Sequence, residues 1–304
     1  MAKVVQALVY ALTIGSVYAL VALGYSLVFS TTRIVNFAQG TLVVTGGYVA
    51  WWLYAEGFDQ DVSLPLVTVL AVVAAGLIGL AVYLLAIAPL GRFDPATNVG
   101  WLVTTFGAGI VLQELIRRRI SDEGQALPPL AGSLFGWSGS IVADVAIQPS
   151  DVILVVSTVA IFVVLQRLET HSALGRAFRA VAQDRQAATL MGVNPTRVIA
   201  SSFVLAGALA ALGGVLVAPK FGTVRFNIAL DLGVFGFVAA VVGGLGSTRG
   251  AVTGGYLIGI VGGIVGVASS RADTYRPLVV FAVFVIVLAL RPAGLFGRTT
   301  VEKV

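Results

Sequence analysis

Nine apolar runs separated by polar segments organise the chain. The first, Val4–Phe29, carries no charge and lies between Lys3 and Arg33. Gly40–Tyr54 follows, closed by the interfacial aromatics Trp51, Trp52 and Tyr54. The others are Leu64–Leu90, Asn98–Ile116, Val152–Leu165, Ile199–Ala218, Leu232–Leu245, Ala251–Ala268 and Pro277–Leu290. Roughly 20 apolar residues cross a bilayer as a helix, and a backbone in lipid must hydrogen-bond to itself. A barrel would instead show alternating segments of about ten residues. The pattern predicts an all-α, polytopic helical membrane protein with eight or nine transmembrane helices in a single domain over residues 1–304. The first run is too long for the core of a signal peptide and reads as a retained span.

Two polar stretches interrupt this pattern. Ser121–Pro149 carries Pro128-Pro129 and predicts a hairpin, Ser133–Trp137 with Ser140–Gln148 around Ser138-Gly139. Arg167–Arg197 reads as helical. Basic residues in short loops stay on the cytoplasmic side. Arg167, Arg176, Arg179, Arg185 and Arg197, with Arg291, Arg298 and Lys303 in the tail, therefore put residues 167–197 and the C-terminus in the cytoplasm and residues 121–149 outside. Arg117–Arg119 falls at an outer end against this rule, where it can snorkel or pair with Asp122 and Glu123. With nine spans the N-terminus lies outside. Thr45-Gly46-Gly47-Tyr48 recurs as Thr253-Gly254-Gly255-Tyr256, a short repeat that is either chance or the trace of two related halves.

Composition narrows the class further. Hydrophobic residues make up 58% of the chain and charged residues 11%. A soluble domain carries about 25% charged residues, so a soluble enzyme, a nucleic-acid binder and a disordered chain are all excluded. There is no cysteine, hence no disulfide and no thiolate metal site.

The catalytic inventory is thin. His171 is the only histidine, and it lies in the arginine-rich segment. The one carboxylate inside a predicted span is Glu114, near an end, while Asp151 and Asp231 lie at interfaces; this is a slender basis for ion coupling. A phosphate-binding loop needs a lysine after glycine. The three lysines, Lys3, Lys220 and Lys303, all follow other residues. The chain predicts no enzyme activity and no bound cofactor or metal, so any ATP is hydrolysed by another subunit.

Residues 172–195 can receive such a subunit. Phe178, Val181, Ala188 and Met191 fall at helical spacing on one face, with Arg179, Asp184 and Arg185 elsewhere and Gly192 and Pro195 as stop signals. The same segment can instead lie on lipid headgroups through its arginines.

The string Ala173-Leu174-Gly175-Arg176-Ala177-Phe178-Arg179-Ala180, followed by Asp184, Ala187-Ala188 and Met191-Gly192, resembles the cytoplasmic coupling loop of branched-chain amino acid ABC transporter permeases of the LivH/LivM type. Gly15–Leu20 with Leu23-Gly24-Tyr25 resembles their first span, and Asn36-Phe37-Ala38-Gln39-Gly40 resembles the Asn-Phe-Ala-His-Gly motif that begins the second. Gly243–Ser247 and Arg291–Gly297 resemble late motifs of that family. The resemblance runs in order along nearly the whole chain. It departs at Gln39, where the family often has histidine, and related permeases handle urea or short amides.

The resemblance implies a type II-like ABC importer permease in the bacterial inner membrane. Its partners would be a second permease subunit, identical or different, two cytoplasmic ATP-binding subunits, an external solute-binding protein and membrane lipid. Gly175, Arg176, Phe178, Arg179, Val181, Asp184, Ala188, Met191 and Gly192 would form the ATPase-coupling segment. Asn36, Gln39, Thr45 and Gln113 are polar residues that line a pathway or else cap and bridge helices. Gly24, Gly40, Gly46, Gly47, Gly254 and Gly255 allow close packing along it. The alternative is a self-sufficient channel or ion-coupled carrier for a small polar solute.

Overall fold

The computed structural model describes residues 2–58, 62–91, 99–120, 123–128, 140–142, 145–268 and 272–297. Each predicted apolar run is a helix. These are α1 (Ala2–Thr32), α2 (Gln39–Trp52), α3 (Leu64–Val82), α4 (Gly100–Arg119), α5 (Pro149–His171), α8 (Pro195–Phe221), α9 (Asn227–Gly243), α10 (Thr248–Ala268) and α11 (Ala272–Leu290). Two shorter helices, α6 (Ala173–Gln183) and α7 (Arg185–Leu190), occupy the arginine-rich stretch. Five helices, α1, α3 with its extension, α5, α8 and α10, are long and apolar enough to cross a membrane unaided; α9 and α11 supply shorter apolar segments. The chain is a polytopic helical membrane protein.

Helix α5 outruns its apolar stretch at both ends. Pro149 occupies the first turn, where its missing N–H costs nothing. One oxygen of Asp151 accepts the Gln148 N–H at 3.2 Å, which starts the helix before Val152. The polar residues Arg167–His171 continue α5 rather than opening a loop. The hairpin also differs from expectation. Its strands β1 (Ser140–Val142) and β2 (Val145–Ile147) both fall within the second predicted strand and pair antiparallel, Ser140 with Ile147 and Val142 with Val145. Ser133–Trp137 and Ser138-Gly139 lie outside the described residues, as do most of residues 121–139 and the loop Arg92–Pro95.

Hydrogen bonds between helix ends fix the helix directions. Arg185 reaches the last carbonyls of α1, Glu169 of α5 accepts from Thr248 at the start of α10, and Lys220 near the end of α8 reaches Asp151 at the start of α5. The ends of α1 and α5 and the starts of α8 and α10 thus share the arginine-rich end. The end of α8 and the start of α5 share the opposite end.

Helix α1 is the central post, buried from Thr13 onward between α8, α9 and α10, with Val4, Val5, Leu8 and Leu12 exposed before it. It lies antiparallel to α10 with small residues at the seam, so that an added Cβ on Gly255 would strike Ala19 and one on Gly259 would strike Gly15 and Ala11. Both Thr-Gly-Gly-Tyr copies serve this kind of approach. Gly46 and Gly47 admit α8 and Val224 to α2, while Gly254 and Gly255 admit α9 and α1 to α10. The two late motifs pack on one another at the arginine-rich end, where the N–H groups of Leu295 and Phe296 donate to Val242 and Gly243 carbonyls at 2.9 and 2.8 Å. Apolar residues such as Leu85, Val103, Val164 and Leu278 stay exposed on the outer faces, as lipid-facing positions do.

Candidate functional site

The first feature is a turn buried inside the bundle. Helix α1 ends at Thr32, and Arg33 adopts the left-handed conformation at φ 61°, which reverses the chain. That conformation disfavours any side chain by about 1–2 kcal/mol and is normally given to glycine. Residues 34–38 then lead into α2 at Gln39. The Asn36 side-chain oxygen accepts the Ala38 N–H at 3.2 Å, and the Gln39 side-chain amide donates to the Ala206 carbonyl of α8 at 3.2 Å. Gly24 on α1 leaves room for Gln39, because a Cβ there would overlap the Gln39 amide. Gly40 meets the backbone of Ala229 and Gly233 on α9. On the α4 side, Phe37 stacks on Trp101 with ring centroids 6.3 Å apart, and its N–H donates to the Thr105 hydroxyl at 3.3 Å.

Asn36, Gln39 and Thr45 are fully buried, and each keeps one side-chain atom without a hydrogen bond: Asn36 Nδ2, Gln39 Oε1 and Thr45 Oγ1. An unsatisfied buried polar atom costs roughly 1–3 kcal/mol, so three in consecutive parts of one segment need a reason other than stability. Two buried atoms that sequence reasoning missed share the property: Trp101 Nε1 on α4, whose ring stacks on Phe37, and Ser26 Oγ on α1, two residues past the glycine that faces Gln39. A hydroxyl in an apolar helix usually bonds back one turn, as Thr13, Ser16, Thr32 and Thr158 do, so the sequence carried no sign that Ser26 would not. Gln113 is half-buried on α4, one turn beyond Gly109, which packs on Ala38 and Thr41. The carboxylate beside it, Glu114, pairs with Arg118 at 2.5 Å and Arg117 at 4.0 Å. These two arginines thus pair back along α4.

The second feature is the pair α6–α7. Ser172 caps α6 by accepting the Gly175 N–H at 2.9 Å, and Asp184 caps α7 by accepting the Gln186 and Ala187 N–H groups at 2.7 and 3.0 Å. Asp184 itself is extended at φ −156°, so the segment is two helices and not one. The single outward face expected for Phe178, Val181, Ala188 and Met191 is therefore corrected. Phe178, Val181 and Ala188 are only 4%, 2% and 3% exposed and belong to the chain's own core, with α6 packed on α5, α1 and α8. Sequence periodicity finds an apolar face without saying what covers it. Met191 instead sits past the end of α7 at 83% exposure, beside Leu190 at 88%. Gly192, at φ 81°, turns the chain away from them.

The arginines of α6 also have partners inside the chain. Arg179 donates to the Glu169 carbonyl and Arg176 to the His171 carbonyl, so both satisfy the C-terminal end of α5, where positive charge is favoured. Gly175 is required there, since a Cβ would overlap the Leu168 and Glu169 carbonyls. Among the described residues, no group of three or more His, Cys, Asp or Glu side chains is placed to hold a metal.

A bundle of apolar helices, small-residue seams and a buried turn of unsatisfied polar groups define a membrane permease. The chain belongs to the family of branched-chain amino acid transport system permease components, whose model matches residues 7–288. It is 35% identical to the high-affinity branched-chain amino acid transport system permease protein BraD of Pseudomonas aeruginosa, over 98% of this chain and 97% of that protein. It is 33% identical to the permease protein LivH of Escherichia coli K12, over 96% and 95% of the two chains. A probable LivH of Methanocaldococcus jannaschii is 28% identical over 94% of this chain and 90% of that one. These relatives are named as transport permeases and not as enzymes. No solved structure matches the chain.

Proposed function

We propose that the chain is the permease subunit of an ATP-binding cassette importer of the bacterial inner membrane, passing branched-chain amino acids delivered by an external solute-binding protein. A second permease subunit completes the pathway. Two cytoplasmic ATP-binding subunits hydrolyse the ATP, and this chain holds no cofactor of its own. The observation that carries the reading is the exposed Leu190–Met191 tip, held out by two helices whose remaining apolar face is used internally. Two large apolar side chains in water beside an arginine-rich surface cost free energy unless a partner covers them. A helical anchor in a groove is a recurrent way of covering them. The tip is the contact for the ATP-binding subunit, and Arg176, Arg179 and Asp184 are exposed on the segment that leads to it.

The pathway runs through the buried turn. Trp101 Nε1 and Asn36 Nδ2 can donate to a carboxylate, while Gln39 Oε1 and the Thr45 hydroxyl can accept from an ammonium group. Phe37 and Phe237, with centroids 6.1 Å apart, supply apolar surface for an aliphatic side chain. This inventory suits a zwitterion with an apolar side chain. Ion coupling is disfavoured because Glu114 is engaged with Arg117 and Arg118. Co-purification from the native membrane tests the assembly. A complex holding an ATP-binding subunit, with ATPase activity raised by the leucine-loaded binding protein, supports the reading. A chain that purifies alone and transports contradicts it.

A further inference from the structure

A direct polar link joins the arginine-rich surface to the buried turn, through the first residue of α7, Arg185. Arg185 opens α7 immediately after the cap Asp184, and its side chain reaches the end of α1. Its guanidinium donates to the Thr32 carbonyl at 2.9 Å and the Thr31 carbonyl at 3.5 Å, the last residues of α1. Those carbonyls have no intrahelical partner because the chain reverses at Arg33, and they carry the negative end of the α1 dipole. Half-burial lowers the Arg185 pKa, but a guanidinium stays protonated at any physiological pH.

The contact does more than close a helix. The Thr32 hydroxyl bonds to the Val28 carbonyl at 2.7 Å and accepts the Ile34 N–H at 3.2 Å, so the residue gripped by Arg185 also holds the first residue beyond the left-handed turn. Thr31 shares a 2.9 Å hydrogen bond with Ser202 of α8. From Ile34 the chain reaches Asn36 in two residues and Gln39 in five, with the Asn36 side chain holding the Ala38 N–H. Arg185 therefore bears on a strained reversal whose far side carries the unsatisfied polar atoms. Strained turns of this kind persist only when their surroundings hold them, and a change in the surroundings lets them shift.

We infer that Arg185 is a positioning residue that transmits displacement of the α6–α7 pair to the buried turn of Asn36 and Gln39, through the Thr31 and Thr32 carbonyls. The inference rests on the proposed coupling role of α6–α7. When an ATP-binding subunit moves the tip, the short helix α7 moves as a rigid unit. The guanidinium then draws or releases the end of α1 and changes how residues 34–39 present their free donors and acceptors.

The test uses the assembled transporter in lipid, with leucine as substrate, comparing the parent with Arg185→Ala and Arg185→Lys. The alanine variant should assemble and hydrolyse ATP but move about tenfold less leucine per ATP, the scale of one lost charge-assisted bond. Lysine, which keeps one cationic donor, should restore part of that ratio. Leucine moved per ATP unchanged in Arg185→Ala, or lysine no better than alanine, overturns the inference. A purely structural role would lower assembly and hydrolysis together and leave the ratio alone, which also overturns it. Amide hydrogen exchange of the chain alone gives an independent arm. Residues 34–39 should exchange faster in Arg185→Ala and near the parent rate in Arg185→Lys. Equal exchange in all three rejects the link even if the ABC assignment itself fails.

Discussion

Lys220 Nζ donates to Asp151 Oδ1 at 2.7 Å, joining the last turns of α8 to the first turn of α5. The other Asp151 oxygen accepts the Gln148 N–H, so this carboxylate serves both as a helix start and as an ion-pair partner. Its side chain is 5% exposed and that of Lys220 is 23% exposed. Removing one partner of a buried pair leaves an uncompensated charge and costs about 3–5 kcal/mol. Lys220→Met should therefore lower thermal stability in detergent more than the double change Lys220→Met with Asp151→Asn. A double variant less stable than the single one would show that the pair does not act as a unit.

The placement of the coupling segment separates the buried Phe178 from the exposed Leu190 beside Met191. Phe178→Ala empties a core position and should destabilise the chain by about 3–5 kcal/mol, measured as lost folded yield. Leu190→Asp leaves the core intact and should abolish capture of the ATP-binding subunit at normal chain levels. Full capture by Leu190→Asp would remove the exposed tip from the interface.

A polar atom kept for function and not for stability has its own signature. Thr45→Val removes only a hydroxyl that bonds to nothing. The variant should be as stable as the parent or more stable, by up to about 1–3 kcal/mol, while leucine transport falls. Lower stability with unchanged transport would reassign Thr45 to packing.

Because the chain has no cysteine, single introduced thiols report sidedness cleanly. Thr189→Cys and Glu56→Cys are both at exposed positions. In intact cells an impermeant maleimide should label Glu56→Cys and not Thr189→Cys. The reverse pattern would invert the proposed orientation.

Much of the architecture was legible because length and hydropathy decide what can cross a bilayer, and each of the nine apolar runs became a helix. Asn36, Gln39 and Thr45 were legible as polar residues inside apolar segments. The break at Asp184 was written in the sequence as a capping residue, but the regular spacing across it concealed it. The inward face of Phe178 and Val181 was not legible, since amphipathic spacing is the same whether a helix covers its own bundle or a partner. Ser26, Trp101 and Arg185 were hidden for a related reason: their roles depend on which partner atoms lie beyond hydrogen-bond reach or within it.

ATP-driven uptake of labelled leucine into proteoliposomes bears most directly on the account. Uptake should require this chain, its second permease, the ATP-binding subunits and the solute-binding protein together, and should stop when any one is withheld. Leucine uptake by this chain alone, without ATP, would contradict it.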